Sequence, residues 1–110
     1  MSDADRPKKT TQAVADQQPD GFAAFRGRWI EQALDDHSLS HGAFRVLSCL
    51  AQHFLSRKER KCWPAQDTLA EKVGMPVRTV QRHLSELQER GHIEAKRRGR
   101  DAPNDYIPTF

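Results

Sequence analysis

Arg78, Thr79, Gln81 and Arg82 fall within five consecutive positions of the sequence. A guanidinium is a rigid fork of donors, and a carboxamide carries a donor and an acceptor side by side. These groups match the edges of nucleic-acid bases: Arg can donate two bonds to guanine, Gln can pair with adenine, and Thr can reach a phosphate or a thymine methyl. A second run, Lys96, Arg97, Arg98 and Arg100, surrounds Gly99, with Asn104 just behind. Cations at that density suit phosphate oxygens. An ordinary solvated surface can carry the same residue types, so the elements that hold them decide the matter.

Other chemistry finds little support. The five histidines (His37, His41, His53, His83 and His92) are scattered. No nucleophile, paired-carboxylate or phosphate-loop pattern accompanies them, so no enzyme is expected. Cys49 and His53 stand four apart on an expected helix with Cys62 nearby, but there is no CxxC pair and no evident fourth ligand. Both cysteines read as structural. No metal, cofactor or small-molecule substrate is implied.

The first candidate residues require a helix with one apolar face. Over 76–90, Val80, Leu84 and Leu87 recur at i, i+4 and i+7, with Val77 at the edge of that face. Arg78, Arg82, Ser85 and Glu89 lie opposite, and Thr79 and Gln81 flank it. Pro76 suits the start and Gly91 the stop. Glu86 and Glu89 repel phosphate near the C-terminal end, so the first two turns are the ones expected in a groove. A shorter helix over 65–73 precedes it, with Leu69, Ala70 and Val73 apolar, Pro64 before it and Gly74 after it. Its N-terminal amides can face phosphate. The second run requires a hairpin. His92-Ile93-Glu94-Ala95-Lys96 alternates as a half-buried strand does, 97–104 carries turn residues, and 105–110 can return.

Two helices come earlier. Over 21–36, Phe22, Phe25, Trp29, Ile30, Ala33 and Leu34 form an apolar stripe, with Asp20 as a candidate N-cap. That stripe can pack onto the rest of the chain or onto the same helix of a second copy. Over 40–55, Phe44, Leu47, Leu50, Ala51 and Phe54 form another buried face, and Ser40 can cap it. Cys62-Trp63 can add a very short strand. Residues 1–20 are polar and hold Pro7, Pro19 and the Lys8-Lys9 pair; such a segment is expected to be a disordered tail.

Composition agrees with one small domain. The 110 residues carry a net charge of +3. Residues 56–110 hold 12 basic against 8 acidic residues, whereas 1–55 hold 6 against 7. The basic half suggests a polyanionic partner. No apolar run approaches a membrane span, and no signal-peptide core is present, so a cytoplasmic protein with reduced thiols is expected. A domain this small gains from pairing, and a homodimer is expected.

The stretch Cys62-Trp63-Pro64-Ala65-Gln66-Asp67-Thr68-Leu69-Ala70, then Gly74-Met75-Pro76-Val77-Arg78-Thr79-Val80-Gln81-Arg82, Leu84, Leu87 and Gly91-His92-Ile93, resembles bacterial winged helix-turn-helix domains of plasmid and phage replication proteins and small transcription regulators. The resemblance runs from about Leu39 to Tyr106. It implies that Arg78, Thr79, Gln81 and Arg82 face DNA bases and that Gln66 and Thr68 touch phosphate. Pro76 and Val77, at the start of the same helix, join this set. One departure is Pro76, where the family often has a Ser or Thr hydroxyl that caps the helix and meets phosphate.

The expectation is therefore a mainly α fold with a small β-hairpin wing: a winged helix-turn-helix at 39–110 with an extra N-terminal helix and linker at 21–38. Its expected partner is double-stranded DNA, read in the major groove by helix 76–90, with the wing 96–104 on backbone or minor groove. Transcription regulation as a homodimer is the leading role. The DNA-binding module of a plasmid or phage replication or partition protein is the alternative, and a winged helix used for protein contact comes third.

Overall fold

A computed structural model describes residues 20–110; the tail expected over 1–20, with its Lys8-Lys9 pair, lies outside the described residues apart from Asp20. Helix α1 spans Phe22–Asp35. The Asp20 carboxylate accepts the Phe22 amide at 3.0 Å, while Gly21, at φ 67°, occupies the cap position itself. Phe22, Trp29 and Ala33 turn into the domain. Leu34, expected in the buried stripe, is instead 61% exposed. Each helical step rotates about 100°; with Ala33 facing inward, the next residue leaves the buried arc. The Phe22, Trp29 and Ala33 part of the stripe packs against its own chain.

Helix α2 spans His41–Cys49 and continues through Leu50–Phe54 as a π-helical segment. Ser40 caps it, its hydroxyl accepting the Ala43 amide at 3.1 Å. The buried face is Ala43, Val46, Leu47, Leu50 and Ala51, whereas Phe44 and Phe54 are only half-buried. The expected face thus gains Ala43 and Val46. The reason is that α2 is gripped between α1 and the two helices that follow, so it buries a wider arc than one stripe.

Helix α3 spans Gln66–Val73 and buries Leu69, Ala70 and Val73. Gly74 ends it at φ 79°, a conformation costly for any residue with a Cβ. The amides of Gly74 and Met75 both donate to the Ala70 carbonyl, at 2.9 and 3.1 Å. Arg45 Nε, from α2, donates to the Val73 carbonyl at 3.1 Å and satisfies another orphan acceptor of the helix end. Helix α4 spans Val77–Glu89 and buries Val80, Leu84 and Leu87.

Two antiparallel strands complete the chain, β1 at Ile93–Arg97 and β2 at Asn104–Pro108. Their register sets Ile93 opposite Pro108, Ala95 opposite Tyr106 and Arg97 opposite Asn104. The strand read at 92–96 starts one residue later than that reading. Cys62 adds an isolated bridge to Tyr106, with amide–carbonyl bonds of 2.9 and 2.7 Å. The very short strand expected at Cys62-Trp63 is thus reduced to a single bridging residue, Cys62.

One core joins all of these elements, with Trp29, Val46, Leu47, Leu50, Cys62, Leu69, Val80, Leu87, Ile93 and Tyr106 near its centre. Burial pushes the Cys62 thiol pKa up to about 12, which suits an inert packing residue. Among the described residues, no cluster of His, Cys, Asp or Glu is arranged to hold a metal. No helix there is long and apolar enough to cross a membrane. The architecture is a mainly α winged helix-turn-helix with an extra N-terminal helix.

Candidate nucleic-acid interface

Turning Val80, Leu84 and Leu87 inward leaves Arg78, Gln81, Arg82 and Ser85 on the exposed side of α4. Thr79 is half-buried at the border, and Val77 packs against the core with its side chain. Pro76 precedes the first turn with no side-chain cap, and that turn holds no acidic residue. The first amides of α4 therefore keep their positive end open beside Arg78, as an anion requires. Helix α3 has Ala65 at its cap position, also without a side-chain cap, but Asp67 stands in its first turn. Thr68 is exposed there, and Gln66 is half-buried.

Gln66 does not point freely to solvent. Its Oε1 accepts a bond from Gln81 Nε2 at 2.7 Å, and its Nε2 reaches the Tyr106 hydroxyl at 3.5 Å. The structure thus brings together two expected site residues from different helices.

Glu86 also has a partner. Its Oε2 accepts the Ser40 amide and its Oε1 the Ser40 hydroxyl, both at 2.7 Å, and His83 Nδ1 lies 3.5 Å from Oε1. Burial pushes this carboxyl up, yet the Ser40 amide, the Ser40 hydroxyl and His83 together hold it below the ordinary value. Glu86 is turned toward the start of α2, so of the two acids near the end of α4 only Glu89 is exposed.

The wing divides its cations. Lys96, Arg97, Arg98 and Arg100 are all exposed, and Asn104 is half-buried opposite Arg97. Arg98 is folded back. Its Nε lies 3.1 Å from Asp105 Oδ1, and its guanidinium sits 4.9 Å from the centre of the Trp63 ring. Lys61 Nζ takes the other carboxylate oxygen of Asp105 at 2.9 Å, a bond that raises the lysine's pKa. Asp105 therefore gathers two cations at the base of the wing. Lys61, Trp63 and Asp105 were not among the expected site residues. An acidic residue among so many bases was the available signal, but nothing local says which base it holds. The wing tip, Asp101 to Pro103, faces Ala65, Gln66 and Asp67 across a shallow groove, so wing and α3 start flank one surface.

A family model described as a helix-turn-helix domain matches residues 37–93, just over half of the chain. The matched region runs from the approach to α2 through α4 to the first residue of β1. No curated protein and no solved structure matches this chain.

Proposed function

Because the chain belongs to the helix-turn-helix domain family, we propose that it is a sequence-specific double-stranded DNA-binding protein, a transcriptional regulator acting as a homodimer. The observation that carries this reading is the exposed side of α4: Arg78, Gln81 and Arg82 project from the first turns, beside an N-terminus with neither cap nor acid. A major groove admits one helix, and the N-terminal part of a recognition helix does the reading. Arg78 and Arg82 offer their forks to guanine, Gln81 its amide to adenine, and Thr79 its methyl or hydroxyl at the border.

The wing contributes affinity. Lys96, Arg97 and Arg100 are exposed cations, and they lie along backbone or minor groove, where charge is read without regard to sequence. Arg98 lies against Asp105 of the same hairpin and over the Trp63 ring. Thr68 and the first amides of α3 meet phosphate on the other flank.

Selection of binding sites from a random duplex pool at near-physiological salt tests the reading, with Arg78→Ala alongside. A homodimer selects a palindrome whose half-sites stand about one helical turn apart, or a multiple of it. In the variant, discrimination at one base pair drops by about 1–3 kcal/mol. Salt-sensitive binding without any enriched motif would leave only non-specific contact. A single unrepeated half-site would remove the dimer and keep the reader.

A further inference from the structure

Gln81 is one of the expected base readers, and it is held from behind. Its Nε2 donates to Gln66 Oε1 at 2.7 Å, across the turn between α3 and α4. Gln66 Nε2 in turn reaches the Tyr106 hydroxyl at 3.5 Å. Tyr106 is only 2% exposed and is fixed by two backbone bonds to Cys62. A line of polar groups therefore runs from the core, through Gln66, to the exposed face of α4.

The chemistry of a primary amide gives this line a use. The nitrogen carries two hydrogens, one on the same edge as the amide oxygen and one pointing away. Pairing with adenine uses the oxygen and the hydrogen beside it, because base atoms N6 and N7 face the amide together. One hydrogen stays spare. Gln66 Oε1 is an acceptor, so it selects the nitrogen end of Gln81 and turns the oxygen elsewhere.

We propose that Gln66 is a positioning residue for base recognition: it fixes the Gln81 amide so that the acceptor–donor edge faces adenine in the major groove. This rests on the reading of α4 as the recognition helix. It gives Gln66 a different task from the phosphate contact that the resemblance implies. Both ends of the Gln66 amide are engaged within the protein, and a long side chain held in one rotamer loses less freedom when its partner binds.

The test is a two-by-two comparison of Gln66→Ala, Gln81→Ala, the double variant and the parent protein. Each binds the duplex obtained by selection and its three base-pair variants at every position of the half-site. Gln81→Ala is expected to flatten preference at one A·T pair by about fivefold to hundredfold. Gln66→Ala is expected to flatten the same pair, by at least about threefold, and to add nothing once Gln81 is gone. Gln66→Glu retains an acceptor for Gln81 Nε2, so it keeps most of the preference at that pair while weakening all duplexes together.

Equal loss on all four base pairs with Gln66→Ala, or full additivity with Gln81→Ala, would overturn the proposal in favour of a direct phosphate contact. Should Gln81→Ala leave every position unchanged, the proposal also falls. The response to Arg78→Ala then tells whether the reading of α4 falls with it: a changed preference keeps that reading, an unchanged one removes both. Far-UV circular dichroism and thermal melting of the Gln66 variants, expected to match the parent, exclude misfolding as the cause.

Discussion

His92 Nε2 lies 2.8 Å from Asp36 Oδ2, a contact that ties the end of α1 to the residue just before β1. The other ring nitrogen, Nδ1, is 3.1 Å from Gln32 Nε2, which also donates to the Thr109 carbonyl at 2.8 Å. An amide nitrogen only donates, so Nδ1 accepts and the proton of His92 sits on Nε2, directed at Asp36. Arg90 completes the group, its Nη2 and Nε lying 2.7 and 2.9 Å from the same carboxylate. Helix α1, the end of α4 and the last strand meet at this point.

Stability in acid follows from Asp36. The Arg90 guanidinium, then His92 and the Ser38 amide, hold its carboxyl well below the usual carboxylate range, against the opposing effect of burial. Its folded pKa thus lies under an unfolded value of about 3.9. The stabilisation is complete above that unfolded value and is lost as pH falls toward the folded one. Melting temperatures between pH 6 and pH 2 should decline more steeply for the parent than for Asp36→Asn, with the two curves converging at the acid end. Parallel curves would mean that Asp36 is not coupled to folding.

Trp29 tests whether α1 belongs to the cooperative unit. The residue is fully buried, and its Nε1 donates to the His92 carbonyl at 2.8 Å. Trp29→Phe removes that bond and leaves a void, while Thr109 still donates to the same carbonyl. A loss of about 1–3 kcal/mol is expected in urea unfolding. A change below about 0.5 kcal/mol would show that α1 frays independently of the rest.

Gly42 is set by the neighbouring helix. A Cβ there would stand 2.6 Å from His83 Cε1 and closer still to Nε2. His83 is packed beside Glu86, so moving it disturbs the cap of α2. Gly42→Ala should therefore destabilise by about 1–2 kcal/mol, despite the better helix propensity of alanine. In a His83→Ala background the same change should reverse sign and stabilise by about 0.5–1 kcal/mol. Destabilisation in both backgrounds would place its cause in the backbone instead.

Arg98 should behave unlike its neighbours in the wing. Arg97→Ala and Arg100→Ala are each expected to lower the salt dependence of DNA binding by about one unit of slope. Arg98 is already paired with Asp105 and stacked on Trp63, so Arg98→Ala should change that slope by clearly less and should alter Trp63 fluorescence in the absence of DNA. An equal change in slope for all three would mean that Arg98 leaves Asp105 to meet phosphate.

Much of what is governed by neighbours a few residues apart was legible from the chain alone. The periodicity of Val80, Leu84 and Leu87 oriented α4 and thereby exposed Arg78, Gln81 and Arg82. Ser40, Gly74 and Gly91 marked helix ends, because a cap or a positive φ is a property of one short segment. The alternation after Gly91 located the first strand of the wing to within one residue. Tertiary structure alone decided the partners. Asp36 finds Arg90 and His92, Glu86 finds Ser40, Asp105 finds Lys61 and Arg98, and Gln66 finds both Gln81 and Tyr106. It also turned Leu34 outward and Val46 inward, since the width of a buried arc depends on how many helices surround it. A polar side chain chooses among many possible partners, and only the packing of distant segments brings one of them within hydrogen-bonding distance.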